Sequence, residues 1–392
     1  MANYSDYEAE ERGVRLGRGW ITWFVGALVI VGLVALGYTP SGYVVEKPGD
    51  TYDTLGTVEV DGDTVPLVDV PMEETYPTTG SLSMLTVITV GDRDKTASWG
   101  TVAVSWLTKS HDILPLDEVY PAGITTSQRA EISQAQMSMS QQRAVAAALT
   151  VLGDEYTTTV SVVGTVDDGP SAGVLEPGDF IESINEKPID DISAVRKALE
   201  ANGLDKPAKL TVNRAGVEEE VEITPIASDS GPVIGVEIDE NYDFPFDVLI
   251  QLEGVGGPSA GQIFALAIID KLTPGSLTGG ANVAGTGTIT EHGIVGPIGG
   301  IRQKMYGALD AGAEYFLAPA ANCPDVVGEI PDGLEVFAVE TLADSLTVLN
   351  TLSSAEQRSR VMGKALRNVE ALPEVDSARL IPLDKDLGSN QD

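Results

Sequence analysis

The chain has 392 residues, 43% of them hydrophobic, enough for two or three domains with a substantial buried core. With 59 acidic against 24 basic residues the net charge is −35, and a surface of that sign repels nucleic acid. The single cysteine, Cys323, excludes an intrachain disulfide and thiolate metal clusters. The two histidines, His111 and His292, are too few for the common zinc sites, so no cofactor and no metal is expected.

No charged residue occurs from Gly19 to Val45, and Trp20 to Tyr38 is almost wholly apolar. A helix over 20–38 rises about 28 Å, close to a bilayer core. Trp20, Trp23 and Tyr38 lie near its ends, where amphipathic rings favour the headgroup layer. Arg12, Arg15 and Arg18 precede it, so residues 1–19 are expected in the cytoplasm and 20–38 as a plasma-membrane span. Everything after Tyr38 is then extracytoplasmic. A cleaved signal peptide competes, because Ala35-Leu36-Gly37 resembles a small-residue cleavage site; the length of the apolar run favours an anchor.

Residues 43–153 read as β-rich up to about Lys109, then helical. Thr57–Val60 and Leu85–Val90 are β-branched and bounded by turns at Asp61-Gly62-Asp63 and Gly91-Asp92. The pattern predicts a helix over 126–152, capped by Ser127 and stopped by Gly153.

Residues 155–228 look self-contained. Strands are predicted at Thr159–Val163, Phe180–Ile184, Ala208–Asn213 and Glu218–Ile223, with an amphipathic helix over Ser193–Asn202. Gly173-Val174-Leu175-Glu176-Pro177-Gly178-Asp179-Phe180-Ile181 resembles the G-L-x-x-G-D-x-I register of bacterial PDZ domains. The resemblance implies a groove that takes an extended peptide or a chain end as an added strand.

Residues 229–352 contain the informative constellation. A strand at Asp247–Leu252 is predicted to feed Gly257-Pro258-Ser259-Ala260-Gly261, followed by a helix over Gln262–Leu272. Gly296-Pro297-Ile298-Gly299-Gly300-Ile301-Arg302-Gln303-Lys304 then opens a second helix, and Ala313–Ala318 and Leu334–Val339 look like further strands. A serine hydroxyl attacks only when a neighbour takes its proton, and a helix start offers N–H groups to a developing oxyanion. Lysine serves as that base only when neutral, which requires burial.

The two motifs resemble the Lon protease (Ser-Lys peptidase, S16) domain, whose pattern is G-P-S-A-G, then T-G-E-I, then P-I-G-G-[LV]-K-E-K. Carried over residue by residue, the resemblance makes Ser259 the nucleophile, Lys304 the base and Thr286 the residue that supports the lysine. Gly257 and Ala260 shape the turn, and N–H groups at Ser259 and Ala260 would hold the oxyanion. Three positions depart: Thr288 stands for the family's Glu, Gly256 for its acidic residue before G-P-S-A-G, and Arg302 for the first Lys of K-E-K. No Walker A motif occurs, since Gly363-Lys364 lacks the phosphate-loop glycine. The combination is similar to the bacterial PDZ-containing Lon-like (YlbL-type) family without the ATPase. Met137 to Ala148 also resembles the M-x-x-S-x-x-x-A-A helix that precedes the active-site strand in Lon domains, which implies a peptidase domain split by the PDZ insertion.

The expected fold class is therefore α+β: a transmembrane helix, a PDZ domain and a Lon-type proteolytic domain, with residues 353–392 a loosely ordered tail. The expected activity is ATP-independent cleavage of unfolded or membrane-proximal proteins. The partners are polypeptide substrates, a peptide in the PDZ groove and the membrane, with no nucleic acid or ATP; a homo-oligomer is compatible with the sequence. Three plainer readings compete. Gly-Pro-Ser-Ala-Gly also occurs at 169–173, where it reads as a turn. His292 offers a Ser-His-Asp triad. The whole chain could be a PDZ-centred adaptor whose peptidase domain is a scaffold.

Overall fold

The computed structural model describes residues 19–121, 123, 125–229 and 231–352. The expectations for residues 1–18 and for the tail from Ser353 lie outside the described residues. The chain divides into two compact units, residues 50–86 with 130 onward forming the larger.

The smaller unit holds α1 (Gly19–Gly37), the first part of β1 (Tyr43–Asp53), the end of β2 (Ser81–Val90), α2 (Trp99–Trp106), β3 (Asp112–Pro115) and the first residues of α3 (Thr126–Leu152). β1 pairs antiparallel with β3, from Tyr43↔Pro115 to Glu46↔Asp112, over a small core of Val45, Ala97 and Val102. The β-rich reading up to Lys109 is corrected by α2. Thr101 to Val104 has strand-like composition, but the Ser98 side chain accepts the Thr101 N–H and starts a helix there. The cap of α3 also differs from the expectation at Ser127. Thr125 Oγ1 accepts the Gln128 N–H while Gln128 Oε1 accepts the Thr125 N–H, a reciprocal capping box. Among the described residues no helix is long and apolar enough to cross a membrane. The apolar side chains described for α1, among them Trp23, Phe24, Leu28, Ile30 and Val34, are exposed.

The larger unit contains three buried apolar clusters. One belongs to a module of β4 (Thr157–Thr165), β5 (Phe180–Ile184), α4 (Ile192–Asn202), β6 (Ala208–Arg214), β7 (Val217–Ile223) and β8 (Val236–Asp243). Its strands run in the order β7-β6-β5-β4-β8, with every neighbouring pair antiparallel. Val160, Ile181, Ile184, Leu199, Leu210 and Val212 fill the space under α4. The sheet continues past the expected boundary at 228, because β8 pairs with β4 along its whole length and seals that edge. The Gly178-Asp179 pair of the motif has a structural task. Asp179 is buried and takes two hydrogen bonds from Arg214, Nε to Oδ1 and Nη2 to Oδ2, each 2.7 Å. Those bonds hold its carboxyl below the usual carboxylate range. A depressed carboxylate stabilises the fold above its unfolded value of about 3.9 and loses that contribution as pH falls below it. Arg214→Met should therefore lower the thermal midpoint at pH 7, with the deficit shrinking below about pH 4, as read by scanning calorimetry at both pH values.

The other two lie on the two faces of the parallel strands β2, β9 (Asn282–Gly285), β12 (Tyr315–Pro319) and β13 (Glu335–Val339), in the order β13-β12-β9-β2. Between them run α5 (Gly261–Leu272), the short pair β10 (Thr288–Ile289) and β11 (Val295–Gly296), and α6 (Ile301–Asp310); α7 (Leu342–Leu352) follows. Alternate residues face opposite cores. Val283, Leu317 and Phe337 join α3, α5 and α7, while Ala284, Phe316 and Val336 join Ile301 and Met305 of α6. Both faces are covered, as a parallel sheet requires. Met137, Ala144 and Ala148 of α3 share one cluster with Phe264 and Ile268 of α5, so the chain leaves this core, builds the module and returns. The strand predicted over Asp247–Leu252 is reduced to Leu249–Ile250, paired with Val68–Asp69. That partner lies between Pro66 and Pro71, which cannot donate to a ladder.

Candidate active site

Ser259 stands in the turn that opens α5, where Ala260 is the N-cap residue. Gly257 adopts φ +89°, a conformation costly for any residue with a Cβ, and its N–H donates to the Ser133 carbonyl on α3 at 2.8 Å. Two turns further along α3, Ser140 Oγ donates to the Pro258 carbonyl at 3.0 Å. One helix thus pins the serine turn at two points. The approach is close: a Cβ on Gly256 would lie 2.4 Å from Ser133 Oγ, and one on Gly261 would lie 2.7 Å from Ile289 Cγ2. A side chain at position 256 would have to displace Ser133 of α3.

α6 brings in the lysine. Its approach loop is held by Asn322, whose Nδ2 donates to the Ile298 carbonyl and whose Oδ1 accepts the Ile298 N–H, both at 2.9 Å. Lys304 lies in the first turn of α6, flanked in the core by Ile301 and Met305, and is 3% exposed. Its Nζ lies 2.7 Å from Ser259 Oγ and 3.0 Å from Thr286 Oγ1. Thr286, directly after β9, donates Oγ1–H to the Ser259 carbonyl at 2.9 Å, and the Gly287 N–H reaches the same oxygen at 2.8 Å. Because the Thr286 hydroxyl proton is engaged there, its oxygen is an acceptor toward Lys304. A neutral amine that gives one N–H to Thr286 can turn its lone pair toward Ser259 Oγ–H.

The structure brings Ser259, Lys304 and Thr286 together, with Gly257 and Ala260 forming the turn between α3 and α5. It corrects the triad reading. His292 Nε2 lies 3.2 Å from Asp191 Oδ2 and 3.6 Å from Glu291 Oε1, tying the base of α4 to the β10–β11 loop. The ligand atoms of these three lie within 4.8 Å of one another, a spacing that exposed carboxylates also reach with no ion present. The first Gly-Pro-Ser-Ala-Gly is a turn in which Ser171 is buried, its Oγ donating to the Ile234 carbonyl at 2.6 Å. Burial, and to a lesser degree Glu340, pushes the Cys323 thiol up, which disfavours the reactive thiolate. Arg302 pairs with Glu329 at 3.6 Å. Sequence reasoning missed Ser133, Ser140 and Asn322 as positioning residues. Ser133 and Ser140, seven residues apart on a face that also carries Met137 and Ala144, were a readable signal.

A serine at a helix start beside a buried amine is the arrangement of serine hydrolases that use lysine in place of histidine. Residues 253–351 match the Lon protease (S16) C-terminal proteolytic domain, so this part of the chain is similar to a Lon-type proteolytic domain. Similar proteins include the archaeal Lon protease of Methanothermobacter thermautotrophicus, 38% identical over 108 residues, covering 27% of this chain and 16% of that protein. The Lon protease of Lachnoclostridium phytofermentans is 38% identical over 117 residues, covering 28% and 14%. Lon protease 1 of Sorangium cellulosum is 40% identical over 93 residues, covering 23% and 11%. The chain thus spans less than a fifth of the length of these relatives. Among solved structures, the PDZ domain of an SdrC-like protein from Listeria innocua is 24% identical with a TM-score of 0.19, covering 20% of this chain and 92% of that one. The corresponding domain from Listeria monocytogenes is 25% identical with the same TM-score, covering 20% and 85%.

Proposed function

We propose that this protein is a membrane-anchored serine endopeptidase that needs no ATP and cleaves unfolded or membrane-proximal polypeptides outside the membrane. The observation that carries the reading is the contact of the buried Lys304 Nζ with Ser259 Oγ at 2.7 Å, inside a Lon-type proteolytic domain. Ser259 Oγ attacks the scissile carbonyl as its proton passes to Lys304. The resulting ammonium then gives that proton to the leaving amine, and water repeats the cycle on the acyl-enzyme. The N–H groups of Ser259 and Ala260 stabilise the oxyanion. The module over 157–243 is a PDZ-type peptide binder inserted between α3 and α5 of a split peptidase domain; the shared core of those helices supports this reading. The exposed apolar side chains of α1 support the anchor.

The test is cleavage of an unfolded polypeptide by the full-length protein without ATP at mildly alkaline pH, beside labelling by a fluorophosphonate probe. ATP-independent cleavage with label on Ser259 is expected. Folded protein that neither cleaves nor labels would favour the adaptor. Thr286→Val, which removes both of its hydroxyl contacts, should lower kcat about 10²-fold with KM little changed, and Thr286→Ser should restore most of the rate. An equal loss in the Val and Ser variants would point to packing and against positioning of the lysine.

A further inference from the structure

α2 presents its apolar side outward. The residues it buries are Val102 and Ser105, whereas Trp99, Ala103, Trp106 and Leu107, at steps of four, three and one, are exposed, Trp106 at 81% and Leu107 at 82%. No charged residue occurs from Thr96 to Thr108, in a chain whose net charge is −35. A soluble helix places its polar residues on the outer face, so this one is patterned for an apolar neighbour.

Its place in the unit says which neighbour. The Trp99 N–H donates to the Thr39 carbonyl at 3.0 Å, and the Ser41 N–H to the Ala97 carbonyl at 2.8 Å, fastening α2 to the end of α1. The helices meet at glycines: a Cβ on Gly100 would lie 2.8 Å from the Gly37 carbonyl oxygen. Tyr38, 83% exposed, continues the apolar surface of α1 toward α2. Tyrosine and tryptophan rings favour the layer where acyl chains meet headgroups.

We infer that α2 lies on the lipid surface, with its Trp106–Leu107 face at the headgroup–acyl boundary of the bilayer that α1 enters. This rests on the anchor reading and goes beyond it: the first folded unit is held against the membrane by a second element rather than tethered by one helix alone. Zwitterionic lipid suffices as partner, because the contact is apolar and the acidic chain gains nothing from an anionic surface.

The experiment uses the full chain with Cys323→Ser and one new cysteine at a time, Leu107→Cys, Ile30→Cys or Lys187→Cys. Each is labelled with an environment-sensitive fluorophore and reconstituted into phosphatidylcholine vesicles. The Leu107→Cys label should emit blue-shifted, resist aqueous iodide several-fold better than the Lys187→Cys label, and be quenched by lipids brominated near the headgroup. Iodide access equal to that of the Lys187→Cys label, with the Ile30→Cys label protected, would overturn the inference while the anchor stands. Access at both Leu107→Cys and Ile30→Cys would overturn both. Lipid quenching at Leu107→Cys with Ile30→Cys exposed would remove the anchor and, with it, overturn the inference of a second contact beside α1. Protection from iodide without quenching by brominated lipid would assign the face to a protein contact and overturn the lipid reading.

Discussion

Full-length protein carrying Ser259→Ala should lose hydrolysis of an unfolded polypeptide to background, and Lys304→Met should lose at least about 10³-fold in kcat. The serine supplies the attacking atom, while the other hydroxyl placed against Lys304 Nζ, that of Thr286, is engaged with the Ser259 carbonyl. Methionine keeps the length and apolar bulk of lysine but has no amine, so it separates loss of the base from loss of packing. The two groups act on one proton, so their effects should not add: the double variant should be no slower than the worse single one. Lys304→Met should also fail to take the fluorophosphonate label, since the hydroxyl is unreactive without a base. Thermal midpoints would be recorded beside the rates. Equal cleavage by all three proteins would sink the dyad.

The second large effect concerns stability. Asp270, near the end of α5, is fully buried, and its Oδ1 accepts the Leu277 N–H at 2.7 Å. Oδ2 is buried with no hydrogen-bond partner among the described residues. Burial raises its carboxyl to about 7, with the Leu277 N–H and Lys271 opposing the shift. An acid whose folded value exceeds its unfolded one binds more protons when folded, so stability falls as pH rises from about 4 to about 7 and is level above that. The full span is on the order of 4 kcal/mol. Asp270→Asn keeps an acceptor for Leu277 and cannot ionise. The variant's stability minus that of the wild type should therefore climb between pH 4 and 7, which urea unfolding at several pH values would show. Taking the difference cancels the trend that the many other carboxylates impose. A flat difference would show that Asp270 is not the titrating group.

Much of the site was legible because its chemistry is local in sequence. A glycine-proline turn needs its own residues to bend, and a helix start needs apolar periodicity after it, so the turn at Ser259 and the approach to Lys304 were legible as local structure, while their roles were what the resemblance to the Lon domain implied. The apolar helix over Gln262–Leu272 was readable for the same reason. The motif Gly178-Asp179 was equally legible, although its partner Arg214, 35 residues away, was not.

What failed was context. Thr101 to Val104 looks like a strand by composition, and only the Ser98 cap and packing on Ala97 and Val45 make it helical. Asp247–Leu252 could not form a full strand, because the segment that folding places beside it is flanked by prolines. The edge strand β8 lay beyond the expected boundary at 228. By itself, then, the sequence determined which groups have the right chemistry and which segments bend or coil, since those depend on neighbours a few residues apart. The tertiary structure decided the rest. It placed Nζ 2.7 Å from an oxygen 45 residues away, set Ser133 against Gly256, and made Asn322 the clamp of the lysine loop. Such contacts depend on how a parallel sheet stacks helices from distant parts of the chain, and no local spacing encodes them.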